Sequence, residues 1–337
     1  MIEILRDLAG AALPDYKNLT VVDCTIRDGG LMNNSKFDLE LVRGVFSACC
    51  AAGVDVCELG YRNSKAMFDE SKFGAWRFCS ENDLKLATEG IENPHGTKVS
   101  IMMDAHKSSA NDLLSASQSV ADIIRIATYV EDIDKAIDLA NHADRLGYET
   151  SLNIMAVTNC QISDLEDCLS RASKETNVKS IFIVDSFGNL MLDQVDFIID
   201  KFRKHIGSKQ LGVHFHNNQQ LAFANTISGI AKDATWVDCT LNGLGRGAGN
   251  CPTELLISYL QNKHNTNYKL EPVLQVIGQY ISPLRSEIKW GYHVPYMLTG
   301  HLNLHPQSAI EKMFSQQDQS NRCYLDFYRK LKKSKES

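Results

Sequence analysis

Ser180-Ile181-Phe182-Ile183-Val184-Asp185 and Leu211-Gly212-Val213-His214-Phe215, with the helical pattern Gln194–His205 between them, decide the fold of this chain. Each run is short, β-branched and largely apolar, as a strand buried on both faces must be. Working outward, the same kind of run recurs at Thr20–Cys24, Val54–Gly60, Lys98–Met103, Asp122–Ala127, Ser151–Val157 and Thr235–Thr240. Helix-length patterns at Asp38–Ala52, Ile133–Leu146, Leu165–Thr176 and Gln219–Ala231 alternate with them. Gly53 and Gly147 follow two of these as C-terminal caps. Eight strand–helix alternations at roughly 30-residue spacing predict an α/β chain closed into a parallel (β/α)8 TIM barrel, not an open doubly wound sheet. A dinucleotide-binding sheet would need a G-x-G-x-x-G turn after its first strand, and Arg27-Asp28-Gly29-Gly30 lacks it. The barrel is expected over residues 1–265. Beyond it, Glu271–Tyr280 and Ser308–Leu331 read as helices of a short C-terminal extension, residues 266–337.

Composition narrows the function classes. The 337 residues carry a formal net charge of -6, which argues against a nucleic-acid partner. The basic tail Lys330-Leu331-Lys332-Lys333 reads as a solvated terminus. The N-terminal Met1–Leu8 has acidic residues and no apolar core segment, so no signal peptide is expected, and no apolar run approaches a membrane span. A soluble, cytoplasmic protein is the expectation. Its ten cysteines include no Cys-x-x-Cys pair, and Cys24, Cys57 and Cys239 sit within apolar runs, as small hydrophobes do.

In this fold active sites lie at the carboxyl ends of the strands. The unusual polar residues fall there: Arg27 and Asp28 after the first strand, Glu58 and Tyr61 at the second, Asp104 and His106 after the third. Asp185 and Ser186 follow the sixth, His214 and His216 close the seventh, and Asn242–Asn250 follow the eighth. Histidines at i and i+2 on a strand share a face. With Asp28 and Asn250 they make an O/N donor set for a hard divalent ion, Mn2+ or Mg2+. Glu58, inside an apolar strand, needs a charged partner, and Arg27 is the natural one. Gly245, Gly247 and Gly249 precede a helix starting near Pro252 and are expected to present backbone N–H groups to an anion.

These residues resemble the metal-dependent pyruvate aldolases and Claisen-condensing barrels of the 3-hydroxy-3-methylglutaryl-CoA lyase superfamily. The signatures are Asp23-x-Thr25-x-Arg27-Asp28-Gly29, Glu58-Leu59-Gly60, Asp185-Ser186-x-Gly188, His214-x-His216-Asn217 and Gly243-x-Gly245-x-Gly247-Ala248-Gly249-Asn250. Within the superfamily, Gly247–Pro252 and Gly291-Tyr292-x-x-x-Tyr296 are most similar to the 4-hydroxy-2-oxovalerate aldolase branch. The resemblance implies a lyase that makes or cleaves a C–C bond next to pyruvate through a metal-stabilised enolate, acting on a 2-oxo acid and an aldehyde. It implies Asp28, His214 and His216 as ligands, Asn250 as a further ligand or near neighbour, and Arg27 as the enolate-stabilising residue. Ser186, Glu58, His106 and Gly249 are placed around the substrate. The branch carries a catalytic histidine three residues after the metal-binding aspartate, and this chain has Leu31 there. His293 with Tyr296, and next His106, are the expected substitutes in proton transfer. The rivals are an acetyl-CoA-dependent condensing acyltransferase and a barrel without catalysis serving as a binding subunit. The aldehyde, a homo-oligomeric state and a dehydrogenase partner are left open.

Overall fold

The computed structural model describes residues 18–264, 266–314 and 324–336. The N-terminal segment read above, and residues 315–323 of the second C-terminal helix, lie outside them. Strand β1 (Thr20–Asp23) runs into a one-turn helix α1 (Thr25–Gly29), then α2 (Leu39–Ala52), β2 (Val56–Tyr61), α3 (Glu81–Thr88), β3 (Lys98–Asp104) and β4 (Ile123–Thr128). There follow α4 (Ile133–Arg145), β5 (Glu149–Ile154), α5 (Ile162–Glu175), β6 (Ser180–Asp185), α6 (Leu192–His205), β7 (Gln210–Phe215), α7 (Ala222–Ala231), β8 (Trp236–Cys239) and α8 (Thr253–His264). Five helical segments complete the C-terminal part. Four are α9 (Leu270–Val276), α10 (Val294–His301), α11 (Gln307–Phe314) and α12 (Tyr324–Glu336); a π- and 3-10-helical stretch, 277–286, continues α9.

The eight strands pair in sequence order, all parallel, and β8 closes on β1. Gly53 ends α2 in the left-handed conformation at φ 77°, and Gly147 has φ 92° after α4, as capping glycines do. One alternation expected from the sequence is absent: β3 and β4 are joined only by short 3-10 turns at Ala110–Asp112 and Ala116–Gln118. That connection is polar and Ser-rich, with no 3.6-residue apolar stripe to bury. No helix among the described residues is long and apolar enough to cross a membrane.

Two apolar regions hold the barrel. The large one lies between the strands' outward side chains and the helices, with Val21, Leu59, Ile101, Ile124, Ile183 and Val213 fully buried. The other groups the alternate residues Val22, Val56, Ile123, Phe182, Val184 and Trp236, as period-2 alternation requires of inward positions. Gly212 makes room for Phe182, whose ring would overlap any Cβ at that position. Eight of the nine described cysteines are buried and all nine are free.

Candidate active site

Above this apolar floor the inward positions turn ionic. Arg27, on the turn of α1, donates through Nε to Glu58 Oε2 at 2.6 Å and through Nη1 to Asp28 Oδ2 at 2.8 Å. Glu58 Oε1 lies 3.2 Å from Arg125 Nη1, whose Nη2 reaches both oxygens of Asp238 at 2.9 and 2.7 Å. Asp238 in turn accepts from His214 Nδ1 at 2.9 Å, and His214 Nε2 lies 3.2 Å from Asp28 Oδ2. The contacts therefore close a ring: Asp28, Arg27, Glu58, Arg125, Asp238, His214. It sets three carboxylates against two guanidiniums, a net negative charge when the imidazole is neutral, and all six groups are buried. Burial is tolerable only because each charge faces opposite ones.

The expected ligands converge on one corner of the ring. His216 Nε2 is 3.4 Å from His214 Nε2 and 3.8 Å from Asp28 Oδ2. Burial alone would oppose ionisation of Asp28, but the Arg27 guanidinium leads the groups that outweigh it and hold the carboxyl well below the usual range. Burial pushes His216 down to about 3, so its ring stays neutral with a lone pair to give. Burial also works against a charged His214, but Asp238 and Asp28 overcome it and raise its basicity. Asn250 sends Nδ2 to His214 Nε2 at 2.9 Å and leaves its buried Oδ1 without a partner. Turned over, the same amide would aim that oxygen at the corner. One carboxylate, two imidazoles and an unspent amide oxygen fit a hard divalent cation. Asp238 behind His214 fixes the ring's orientation, as a carboxylate does for a histidine able to ligate a metal. His214 and Asp238 also approach Cys24, but Arg125 already takes both Asp238 oxygens.

A narrow cleft opens on this corner, lined by Arg27, Asp28, His214 and His216 with Ser186 and Arg246 on the polar side. Its opposite wall is apolar: Leu31 and Met155 pack on Tyr61, Met102 and Ala127. A register shift between Glu58 and Tyr61, at Gly60, sets Tyr61 into that wall. Ser186 Oγ accepts from the Ala156 N–H at 2.9 Å and keeps its own hydrogen to donate.

Other expected residues stand elsewhere. His106 pairs through Nε2 with Asp132 Oδ2 at 2.6 Å and does not line the cleft. Tyr296 is fully buried, gives its hydroxyl to Lys289 O at 2.7 Å and, with His293 beside it, stays out of the lining. Two of the three glycine N–H groups expected to face an anion are already engaged. Gly249 N donates to Arg246 O and Gly247 N faces Met32 Sδ, so these N–H groups are spent within the loop and its packing. Asp185 accepts from the Asn189 and Leu190 N–H groups, capping the turn after β6. Sequence reading missed Arg125, Asp238 and Arg246. The first two carried the same signal as Glu58, a charge inside an apolar strand, and needed the same question about a partner.

The model of the HMGL-like family matches residues 18–278. A 4-hydroxy-2-oxovalerate aldolase of Carboxydothermus hydrogenoformans is 26% identical over 305 residues, covering 88% of each chain. Among solved structures, the N-terminal domain of a Bacteroides vulgatus protein described as an aldolase superposes with a TM-score of 0.76 at 29% identity, over 88% of this chain and 97% of that one. The HMG-CoA lyase of Bacillus subtilis shares the fold at a TM-score of 0.68 and 18% identity, over 82% and 96%.

Proposed function

The chain belongs to the HMGL-like family, and from that premise we propose a divalent-metal-dependent aldolase that makes or cleaves a C–C bond next to pyruvate, similar to 4-hydroxy-2-oxovalerate aldolase. The observation that carries this reading is the convergence of Asp28, His214 and His216 beside the guanidinium of Arg27. Those three side chains, with Asn250, would hold Mn2+ or Mg2+. Such an ion supplies a Lewis acid for the ketone oxygen of a 2-oxo acid.

The chain's own residues account for the rest. Arg27 is fixed by Glu58 and Asp28 and donates to the oxygen on which enolate charge develops. Arg125 and Asp238 hold that pair and His214 in place. Proton exchange with the aldehyde oxygen falls to Tyr61, next to Leu31 in the apolar wall. There burial raises its phenol above the usual range, with Arg27 pulling against it and Asp28 adding to it, so the resting group is the protonated phenol. Cleavage is the reverse of condensation and draws on the deprotonated form of the same group, which takes the hydroxyl proton as the C–C bond breaks. In condensation the phenol returns it to the aldehyde oxygen. The apolar wall suits an uncharged aldehyde.

Pyruvate release from 4-hydroxy-2-oxovalerate, measured beside oxaloacetate decarboxylation, tests this. Wild type should do both, without acetyl-CoA. Tyr61→Phe should lose cleavage by about 10²-fold or more and keep decarboxylation, which forms the enolate without moving a hydroxyl proton. Thiol release from acetyl-CoA in place of aldol chemistry would turn the reading into a condensing acyltransferase.

A further inference from the structure

Arg246 is the one arginine lining the cleft whose charge the ring does not absorb. Arg27 is answered by Glu58 and Asp28, and Arg125 behind it by Asp238 and Glu58. Among the described residues no carboxylate lies within ion-pair distance of the Arg246 guanidinium. Its partners are neutral: Nη2 donates to Ser186 O at 2.6 Å and Nη1 approaches His305 Nε2 at 3.4 Å. Burial and then Arg246 itself push His305 down to about 4, so that ring accepts and carries no charge. Nε is buried with no partner at all. The residue is tied to the metal corner by its backbone, since Arg246 N donates to Asp28 Oδ1 at 3.0 Å.

A half-buried guanidinium with neutral partners and an unspent donor calls for an anion, and a planar fork favours a carboxylate. Ser186, the other polar group on this side, has a hydroxyl hydrogen to add. We propose that Arg246 determines specificity by binding the carboxylate of the 2-oxo acid together with Ser186. This rests on the aldolase reading above. It fixes the substrate's direction: the carboxylate lies under the β8 loop, the ketone faces Arg27, and the carbon that forms the bond faces the wall of Leu31, Tyr61 and Met155. Arg27 is thereby free to act on the ketone oxygen alone.

The test compares pyruvate with methyl pyruvate, which keeps the ketone and lacks the charge, in wild type, Arg246→Gln and Arg246→Lys, all Mn2+-loaded. Calorimetric binding is read beside condensation with one fixed uncharged aldehyde. Wild type should prefer pyruvate. Arg246→Gln should weaken pyruvate binding and raise its KM by about 10²-fold, with kcat changed far less and methyl pyruvate little affected. Arg246→Lys should recover part of the loss, because the charge remains and the fork does not. An equal loss for both ligands would reduce Arg246 to a brace for Ser186 and overturn the proposal. So would an effect on the aldehyde's KM alone. Wild type that binds pyruvate without turning it over would sink the aldolase reading and leave the role of Arg246 to the binding data.

Discussion

Arg27 holds two carboxylates at once, Glu58 through Nε and Asp28 through Nη1, and a lysine ammonium in its place would keep the charge without the fork. Arg27→Lys should therefore leave metal binding intact and lower kcat on the order of 10²-fold or more. KM should move less, because the contact strengthens as enolate charge develops. Steady-state kinetics with metal analysis of the same sample checks this; a change confined to KM would make Arg27 a carboxylate anchor and remove it from the chemistry. At this scale the sequence was informative wherever a residue broke its local pattern. Glu58 within Val56–Tyr61 required a cation, and the structure supplies Arg27 at 2.6 Å. The proposed proton carrier was harder to read: Tyr61 stood among the strand-end polar residues, but only the bulge at Gly60 and the neighbouring Leu31 set it apart from them.

The loop from Asn242 to Asn250 shows how backbone approach positions a candidate ligand, Asn250, at its end. At Gly245 a Cβ would fall on Asn250 Oδ1 and within 3.3 Å of Asp28 Oδ1, so glycine is what lets the loop close on the corner of Asp28, His214 and His216. Gly245→Ala should weaken Mn2+ binding by about 10- to 100-fold while the barrel stays folded. Gly278→Ala, where an added Cβ meets nothing within 4 Å, is the control and should bind as wild type does. Titration of apoprotein followed by calorimetry reads both variants; equal affinities would release Asn250 and its loop from the site. The sequence marked this loop by its glycines, read there as backbone donors toward an anion. They serve close backbone approach and positive φ at Gly243, Gly247 and Gly249, and the N–H groups of Gly247 and Gly249 are spent within the loop and its packing. The βα alternation was legible because strand and helix periods are local properties. The β3–β4 connection has neither period, and no α-helix forms there.

Across the whole molecule, the barrel brings charges distant in sequence into one buried ring. Arg125 and Asp238 are 113 residues apart and meet only because β4 and β8 face each other through the interior, a relation that no local period encodes. Burial also leaves a signature in stability. Asp23, beneath the site, is pushed up to about 6 by desolvation, whereas an unfolded aspartate titrates near 3.9. The folded chain thus binds that proton more tightly, and the penalty for its charged form is complete only above pH about 6. Lowering the pH from 7 to 5 should stabilise wild type relative to Asp23→Asn by about 1.4 kcal/mol. Denaturant midpoints of the two proteins at both pH values check it, and a gap that stays constant would show Asp23 to be ionised throughout. The central claim is that Asp28, His214 and His216 hold the ion on which the aldol chemistry depends. Pyruvate release from 4-hydroxy-2-oxovalerate, followed in chelator-stripped protein as Mn2+ is titrated back, tests it most directly. Activity should vanish on stripping and return with one equivalent of metal in wild type, and fail to return in His216→Ala. Full turnover by the stripped protein, or a His216→Ala variant with both a stoichiometric ion and undiminished pyruvate release, would contradict it.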